Sequence, residues 1–322
     1  MIKLSDKGTI ILDSPKVISR AKSGYGLWLD TETCNYDKMI FDFSIKLINL
    51  KDGSIKREYS FVIVDCWETK HIIQGCFSKK KRKDYPKLLK SGLYQFITRK
   101  DLVIFLNNLF KEYKIACVGA FNVEFDIQAL YNTLTYVNKR TKYFKEPIIN
   151  DMLECAFFGV DMFDIWTYAS VIFASDDYKK WYHKKGYKLT KSGYLKTGVE
   201  MLTRYLKDNG KFVETHKGQD DLNNEYAIFV SSALLRNDKK LLVNVSGKKT
   251  LSLARPTKTD KKSKQYLTYV KQKISAWYWH KNRGFYQVKV VCIIYPKKSR
   301  HNITTLKDRR DKGNVKTNKK RF

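Results

Sequence analysis

The sequence predicts an α/β fold with a basic carboxy-terminal extension, and three observations support this prediction. Three segments near the start have the apolar pattern of consecutive strands: residues 25–30 (YGLWLD), 41–50 (FDFSIKLINL) and 59–67 (YSFVIVDCW). From residue 101 onward, segments with helical and strand patterns alternate. The chain also has 322 residues with 43% hydrophobic and 14% aromatic content, which is enough apolar material for one large core.

The three early strands are expected to form a meander, because the turn tripeptide Lys51-Asp52-Gly53 separates the second strand from the third. Residues 101–114 carry apolar side chains at helical spacing. Residues 115–121 (IACVGAF) form a short apolar run typical of a buried strand, and residues 122–137 return to a helical period. The predicted order is therefore β-β-β-α-β-α.

The rest of the domain is expected to add a fifth strand, a lysine-rich helical region and a final helix. Residues 162–169 (MFDIWTYA) are the candidate strand, and the helix is predicted from about Asp221. Its apolar stripe consists of Leu222, Tyr226, Phe229 and Ala233. Three strands followed by alternating helices and strands resemble the mixed sheet of the ribonuclease H-like fold.

The charge balance indicates a polyanionic partner, with nucleic acid as the leading candidate. The chain has 63 Lys and Arg against 32 Asp and Glu, a formal net charge of +31. A genome rich in A and T would also inflate Lys, Asn, Ile and Tyr, and this alternative explanation stays open.

The positive charge is concentrated at the carboxy-terminal end. Residues 241–322 contain 23 Lys and Arg and 3 Asp and Glu, whereas residues 1–240 contain 40 and 29. A lysine-rich stretch with little apolar pattern also lies near residues 245–264. We therefore predict a main domain at 1–245 and a basic extension at 246–322.

Within the extension, residues 274–296 have two β-rich runs around a turn at residues 281–284, which predicts a β-hairpin. The lysine-rich tail that follows is expected to be disordered unless bound. Trp277, Trp279 and Tyr286 lie among cations and could stack on unpaired bases, or they could pack the hairpin on the main domain.

Other classes of protein are disfavoured. No stretch of about 18 uncharged apolar residues occurs and no signal peptide is recognisable, so we expect a cytoplasmic protein without a membrane partner. Six cysteines, at positions 34, 66, 76, 117, 155 and 292, form no Cys-x-x-Cys pair, so they are expected to be core thiols.

The first candidate motif is Asp30-Thr31-Glu32 at the end of an apolar strand. Strand side chains alternate between faces, so Asp30 and Glu32 are expected to project from the same face. Adjacent like charges repel each other, and a divalent cation between them would relieve the repulsion. The alternative is a strand end with two solvated acids.

The second candidate motif follows the strand at 115–121, where Asn122, Phe125 and Asp126 begin a helix. The i, i+4 spacing is expected to place Asn122 and Asp126 on one helix face, at the carboxyl end of a strand where α/β sheets bind ligands. Glu124 is the local rival, and it would point away from that face. The alternative is an Asn cap beside a solvated Asp.

The third candidate motif comprises His216 and Asp221, immediately before the last helix. Histidine side chains titrate near neutral pH and can take a proton from water, while an aspartate can hold the metal that acidifies that water. Asp220 is a rival for Asp221. A surface histidine beside an Asp-rich helix start is the plainer reading.

Together the order Asp-x-Glu, Asn-x-x-Phe-Asp and His-x-x-x-x-Asp resembles the DEDDh 3′→5′ exonuclease family, over roughly residues 22–235. That family includes proofreading exonuclease subunits and several ribonucleases. The resemblance implies Asp30, Glu32, Asp126 and Asp221 as metal ligands for two Mg²⁺ or Mn²⁺ ions, with His216 as general base. The related subtype with tyrosine is disfavoured, because Lys217 lies four residues before Asp221.

Two features depart from the family pattern. Lys217, Gly218 and Gln219 replace its usual small and aliphatic residues after the histidine, so Asp220 remains a rival for Asp221. The lysine-rich insert at residues 176–199 has no counterpart that we can assign, so substrate choice does not carry over.

Nearness in sequence to the acids makes Trp28, Thr31, Asn122 and Phe125 candidates for contact with the terminal nucleotide, Phe125 by stacking. For Trp28 and Phe125 a place in the core is the alternative.

The expected function is metal-dependent 3′→5′ removal of nucleoside monophosphates from single-stranded DNA ends, in replication, repair or proofreading. Replication proteins are possible partners, and composition suggests a phage or mobile element acting in the host cytoplasm. An exoribonuclease is one alternative, and a catalytically silent nucleic-acid-binding protein on the same fold is another.

Overall fold

The computed structural model describes residues 3–5, 8–20, 22–34, 38–75, 81–191, 193–237 and 239–245, and the backbone of 271–280 and 284–293. The chain divides into two compact units. The first comprises residues 1–188 and 196–251, and the second comprises 189–195 and 252–322.

The first unit contains ten of the described strands and all of the described helices. Its strands are β1 (Lys3–Leu4), β2 (Ile10–Ile11), β3 (Lys16–Ser19), β4 (Tyr25–Cys34), β5 (Met39–Asn49), β6 (Ile55–Ile63), β7 (Gln95–Ile97), β8 (Ile115–Ala120), β9 (Asp161–Asp164) and β10 (Lys240–Val243). Its helices are α1 (Val64–Glu68), α2 (Lys70–Gln74), α3 (Tyr85–Lys90), α4 (Arg99–Glu112), α5 (Val123–Thr135), α6 (Ile165–Tyr168), α7 (Ser170–Phe173), α8 (Asp176–Lys184), α9 (Val199–Leu206) and α10 (Gly218–Arg236), with 3₁₀ turns at Lys81–Asp84, Met152–Glu154 and Ala156–Gly159.

The centre of this unit is a six-stranded mixed sheet in the order β7-β6-β5-β4-β8-β9. Strands β4, β5 and β6 form the expected antiparallel meander, with a turn at residues 50–53. Strand β8 runs parallel to β4, and β9 runs parallel to β8. The carboxyl ends of these three strands therefore lie at one edge, where ligands gather in α/β sheets.

Two predicted strands end earlier in the structure than the sequence pattern indicated. The third ends at Ile63, because residues 64–68 form α1. The strand predicted at 162–169 ends at Asp164, whose side chain accepts a hydrogen bond from Thr167 N (2.9 Å) and caps α6. Strand β7 and helices α1–α3 were not predicted, because these elements span only three to six residues and show no extended period.

The sheet is covered on both faces. Leu27, Leu29 and Phe43 belong to a core shared with α4 and α5. On the opposite face, the Trp28 indole stacks on Phe163 (5.3 Å between ring centroids) and meets Phe229 of α10 edge-on (5.1 Å). Helix α10 is thereby fixed across β4 and β5, which brings its first turn to the end of β4.

The end of the first unit is held by an antiparallel pair in which β10 runs beside β3, from Lys240↔Ser19 to Val243↔Lys16. Asn244 then donates a backbone hydrogen bond to Met162 O (2.6 Å). Residues up to about 244 thus belong to the first unit, while the domain boundary at 245 stays a prediction.

In the second unit, strands β11 (Lys271–His280) and β12 (Gly284–Ile293) pair antiparallel, in a register from Lys271↔Ile293 to His280↔Gly284. This agrees with the predicted hairpin. The predicted turn, the Trp277, Trp279 and Tyr286 side chains, and the tail lie outside what the structure describes.

Cys34, Cys66, Cys117 and Cys155 are buried free thiols, as expected, whereas Cys76 and the Cys292 side chain are outside the described residues. Among the described helices, none is long and apolar enough to cross a membrane.

Candidate active site

The candidate site lies at the carboxyl ends of β4 and β8, beneath the first turns of α5 and α10. Asp30 and Glu32 lie two residues apart on β4, so both project from the sheet face on which α10 packs. Asp30 pairs across the strands with Ser44 and Glu32 with Asp42. The pairing shifts register just after Glu32, and Thr33 and Cys34 continue the pairing with β5.

Asp126 enters from the opposite side, in the first turn of α5. Its side chain is buried, and its Oδ1 accepts a 2.7 Å hydrogen bond from Thr31 Oγ1. This bond joins the first and second sequence motifs directly. Asn122 has a left-handed backbone (φ 71°) and precedes the helix, so the predicted i, i+4 helix face of Asn122 and Asp126 was wrong.

His216 and Asp221 approach from α10. The His216 Nδ1 atom lies 4.0 Å from Glu32 Oε1 and 4.0 Å from Asp221 Oδ2. His216 is 41% exposed, whereas Asp221 is buried. One ligand atom from each of Glu32, His216 and Asp221 lies within 4.8 Å of the others, which is close enough for all three to surround a metal ion.

Asp221, and not its rival Asp220, faces the site. Asp220 is exposed and its Oδ2 accepts a hydrogen bond from Thr215 Oγ1 (3.1 Å). One residue of helix rotates a side chain by about 100°, so the two carboxylates cannot share a direction. Glu124, the other rival, is half-buried near Asp164, where its charge contributes to raising the pKa of that residue.

The acids strongly perturb one another. Burial raises the pKa of Asp30 well above its usual range, and the charges of Glu225, Asp126, Glu32 and Asp221 raise it further. Burial raises the pKa of Asp126 to about 7, against the lowering effect of the Thr31 hydrogen bond. Burial and the neighbouring acids therefore disfavour the charged forms of Asp30 and Asp126.

Glu225 is a fifth acid of this site that the sequence analysis missed. It lies four residues after Asp221, on the same face of α10, and it is buried. Its Oε2 accepts a hydrogen bond from Phe121 N (3.3 Å), and burial together with the charge of Asp126 raises its pKa well above its usual range. The i, i+4 spacing on a predicted helix was the available signal.

Asp164 was missed as well. It ends β9 beside β8, it is buried, and burial raises its pKa to about 7. Its cap on Thr167 uses Oδ1, while Oδ2 has no hydrogen-bond partner within the described part of the chain. An acid at the carboxyl end of a predicted strand was the signal, but it lay inside a segment interpreted as continuous strand.

The donor set fits divalent cations. Asp30, Glu32, Asp126 and Asp221 supply carboxylate oxygens, the hard ligands that Mg²⁺ and Mn²⁺ prefer. Asp30 Oδ2 is enclosed and has no hydrogen-bond partner among the described residues, as expected for an atom arranged to meet a cation. His216 Nδ1 is also near enough to contribute, although the sequence analysis gave it only a proton-transfer role.

The four residues proposed to contact the terminal nucleotide differ in accessibility. Trp28 is fully buried between Phe163 and Phe229, so it cannot reach a nucleotide and is corrected to a core residue. Thr31 is buried and orients Asp126.

Asn122 and Phe125 remain candidates for substrate contact. Both line a cavity of about 690 Å³ beside α5, with Lys38, whose Nζ lies 5.6 Å from the Phe125 ring centroid. A partly accessible ring beside a cation is suited to a nucleobase and its phosphate.

The lysine-rich insert folds around aromatic side chains. Helix α8 buries Tyr178 and Tyr182, and Tyr178 meets Tyr205 of α9 edge-on at 5.2 Å between ring centroids. This packing explains how so basic a segment forms helices.

In comparisons with known proteins, no family model and no curated protein matches the chain. Solved structures do match. E. coli exonuclease I in complex with a dA16 oligonucleotide is 15% identical with a TM-score of 0.38, and the match covers 66% of this chain and only 42% of that chain. The nuclease domain of 3′hExo, a DEDDh family member bound to rAMP, is 16% identical with a TM-score of 0.35, covering 70% and 98%.

Cell-death related nuclease 4 (CRN-4) is 11% identical with a TM-score of 0.33, covering 70% of this chain and 68% of that chain. Because every TM-score is below 0.5, the function proposed below depends on the geometry of the site. The chain is similar in structure, at low sequence identity, to DEDDh 3′-exonucleases.

Proposed function

We propose that this chain is a two-metal-dependent 3′→5′ exonuclease that releases nucleoside monophosphates from single-stranded DNA ends. The observation that carries the proposal is the position of His216 Nδ1, 4.0 Å from carboxylates of both Glu32 and Asp221. These three residues come from motifs separated by about 180 positions of sequence. A histidine beside clustered metal-ligand acids is the arrangement needed to activate water.

In this proposal Asp30, Glu32, Asp126 and Asp221 hold two Mg²⁺ or Mn²⁺ ions. When bound, such ions acidify a water molecule and stabilise the departing 3′ oxygen. The His216 imidazole accepts the proton of the attacking water, and its exposure lets it pass the proton to solvent. The Thr31 hydroxyl keeps Asp126 oriented through its 2.7 Å hydrogen bond to Asp126 Oδ1.

The substrate assignment rests on charge and access. The chain has a net charge of +31, which favours a polyanion. Asn122, Phe125 and Lys38 offer amide, ring and ammonium groups at one cavity, which suits an unpaired nucleotide better than a stacked duplex. A ribonuclease would use the same catalytic groups, so the choice between DNA and RNA is put to experiment.

The deciding experiment incubates the purified protein with single-stranded DNA or RNA, labelled at the 5′ end, in Mg²⁺, Mn²⁺ or EDTA. We expect a ladder shortened from the 3′ end in either metal, no cleavage in EDTA, and faster cleavage of DNA. Asp30→Asn is the matched inactive control. Binding without cleavage in both metals would instead identify a silent nucleic-acid-binding protein.

A further inference from the structure

The three residues that follow His216 are Lys217, Gly218 and Gln219, and each makes a specific contact with the β5–β7 side of the sheet. Lys217 Nζ lies 2.8 Å from Asp84 Oδ2. Gly218 N donates to Asp42 Oδ2 (2.9 Å). Gln219 N donates to the Tyr94 hydroxyl (3.0 Å).

Asp42 is the centre of this arrangement. It is fully buried on β5, and it lies directly opposite the metal-ligand candidate Glu32 in the β4–β5 register. Its Oδ2 accepts hydrogen bonds from the hydroxyls of Tyr85 and Tyr94 as well as from Gly218 N. With three donors on one oxygen, Asp42 is engaged by the protein and is not a free metal ligand.

Gly218 is the residue that permits this contact. A Cβ atom at position 218 would lie 2.7 Å from Asp42 Oδ1 and 2.9 Å from Ser44 Oγ. Both distances are shorter than real Cβ contacts, and both neighbours are themselves buried and packed. The absence of a side chain therefore lets the start of α10 approach β5 closely enough to form the 2.9 Å hydrogen bond.

This approach also fixes His216. The His216 backbone is left-handed (φ 51°), a conformation that is uncommon for residues other than glycine. Residues 217–219, whose contacts are described above, follow His216 directly in the chain. Their contacts therefore hold the backbone on the carboxyl side of His216 and with it the direction of the His216 side chain. That direction brings Nδ1 to 4.0 Å from Glu32.

We infer that Asp42, Tyr94 and Gly218 form a socket that positions His216 against the metal-ligand acids. They are positioning residues, because they act through His216 and do not touch the reacting atoms. The inference rests on the proposed function for its kinetic consequence, while its structural content stands without it.

The rival explanation is that these contacts only anchor α10. The two explanations differ in how substitutions combine. If Gly218 acts through His216, replacing Gly218 should not lower kcat further in a protein that already lacks the His216 imidazole. If Gly218 only anchors α10, the reductions in kcat caused by the two substitutions should multiply.

The test compares Gly218→Ala with Gly198→Ala in the full-length chain. Gly198 immediately precedes α9, and a Cβ there meets nothing within 4 Å, so it controls for an added methyl group at a helix start. We expect kcat to fall by about 10²-fold in Gly218→Ala, as a misplacement of about 1 Å can cause, with KM little changed. Gly198→Ala should match the parent chain.

The decisive measurement is the double variant Gly218→Ala with His216→Ala. We expect its kcat to equal that of His216→Ala alone. A further loss in the double variant equal to that of Gly218→Ala alone would overturn the inference in favour of simple anchoring. Tyr94→Phe, which removes the hydroxyl bonded to Gln219 N and Asp42, replaces Gly218→Ala in the same cycle if circular dichroism shows that the alanine variant does not fold.

A measurement that does not depend on nuclease activity separates this inference from the proposed function. The ring-nitrogen NMR signals of His216, assigned with His216→Ala, should shift in Gly218→Ala and stay in place in Gly198→Ala. If the parent chain has no nuclease activity but the His216 signals shift in Gly218→Ala, the proposed function is refuted and the socket is supported. Unchanged His216 signals in a folded Gly218→Ala would refute the socket, whatever the activity.

Discussion

Asp221 and Glu225 lie one helical turn apart on α10, and both carboxyl groups are buried beside Asp30. Because burial and the charges of Asp126 and Asp221 disfavour the charged form of Glu225, we expect Glu225→Gln to stabilise the metal-free protein. At pH 8 its free energy of unfolding should rise by about 0.5–2 kcal/mol, the usual range for one stabilising substitution. The glutamine side chain can still accept the hydrogen bond from Phe121 N, so a difference in melting temperature in EDTA reports the loss of the negative charge.

The pH dependence of this stabilisation follows from the raised pKa of Glu225. Below its ordinary pKa of 4.5, the Glu225 carboxyl group is mostly protonated in both the folded and the unfolded state, so the two proteins should differ little in stability. Above it the folded wild type binds more protons than the unfolded chain, so its stability falls as pH rises and the advantage of glutamine grows. Asp220→Asn, which changes an exposed acid of the same helix, is the control. An equal advantage at pH 4 and pH 8 would contradict the assignment to charge.

Asp30→Asn and Asp126→Asn should fold and lose several orders of magnitude in cleavage rate, because each removes a proposed ligand of the paired ions. Their melting temperature in EDTA should not fall, because burial raises the pKa of each residue and so disfavours its charged form. Cleavage on a 5′-labelled strand and melting are measured on the same preparations. Near-normal cleavage by either folded variant would remove that residue from the active site.

His216→Ala should lower cleavage near neutral pH by about 10²–10⁴-fold, the usual contribution of a general base. Isothermal titration with Mn²⁺ tells whether the imidazole is also a ligand, as its distances to Glu32 and Asp221 allow. Unchanged Mn²⁺ affinity would assign it to proton transfer alone.

Asp220→Asn and Asp221→Asn decide the register of the third motif. We expect only Asp221→Asn to abolish cleavage, because Asp221 is buried near His216 whereas Asp220 is exposed. Steady-state rates of the two variants make the comparison. Loss of activity in Asp220→Asn alone would show that the motif is shifted by one residue.

The first two motifs follow strong local patterns in the sequence, whereas the third, His216 with Asp221, is weak alone and was found through its place in the order of the three motifs. Asp30 and Glu32 end an apolar strand, and Asp126 follows one, so strand ends alone brought them to a common edge. The meander was predictable for the same reason, since residues 50–53 form a turn between long strands.

What the sequence did not reveal depends on tertiary contacts. Trp28 lies two residues before Asp30, yet Phe163 and Phe229 of α10 enclose it. Gly218 was noted as a departure from a family pattern, but its use became visible only with Asp42 on a strand 176 residues away. No periodicity in a single sequence links two such positions.

The last prediction concerns residues 246–322, whose 23 Lys and Arg against 3 acids imply that they bind substrate through phosphate contacts. A chain ending at residue 245 keeps every residue of the proposed active site and also the β3–β10 pair. We expect it to bind single strands more weakly and with a shallower dependence on salt. Each lost phosphate contact should reduce the slope of log K against log salt by about 0.7.

In the chain ending at residue 245, KM should rise by a larger factor than kcat falls, because the extension contributes to substrate binding and not to the chemical step. Circular dichroism and thermal melting come first, since loss of packing partners would unfold the shortened chain and confuse the comparison. The matched control is the full-length chain with several extension lysines changed to glutamine, which lowers charge without shortening the protein. If the shortened chain is folded and its salt slope equals that of the full chain, the extension makes no phosphate contacts and must serve another purpose.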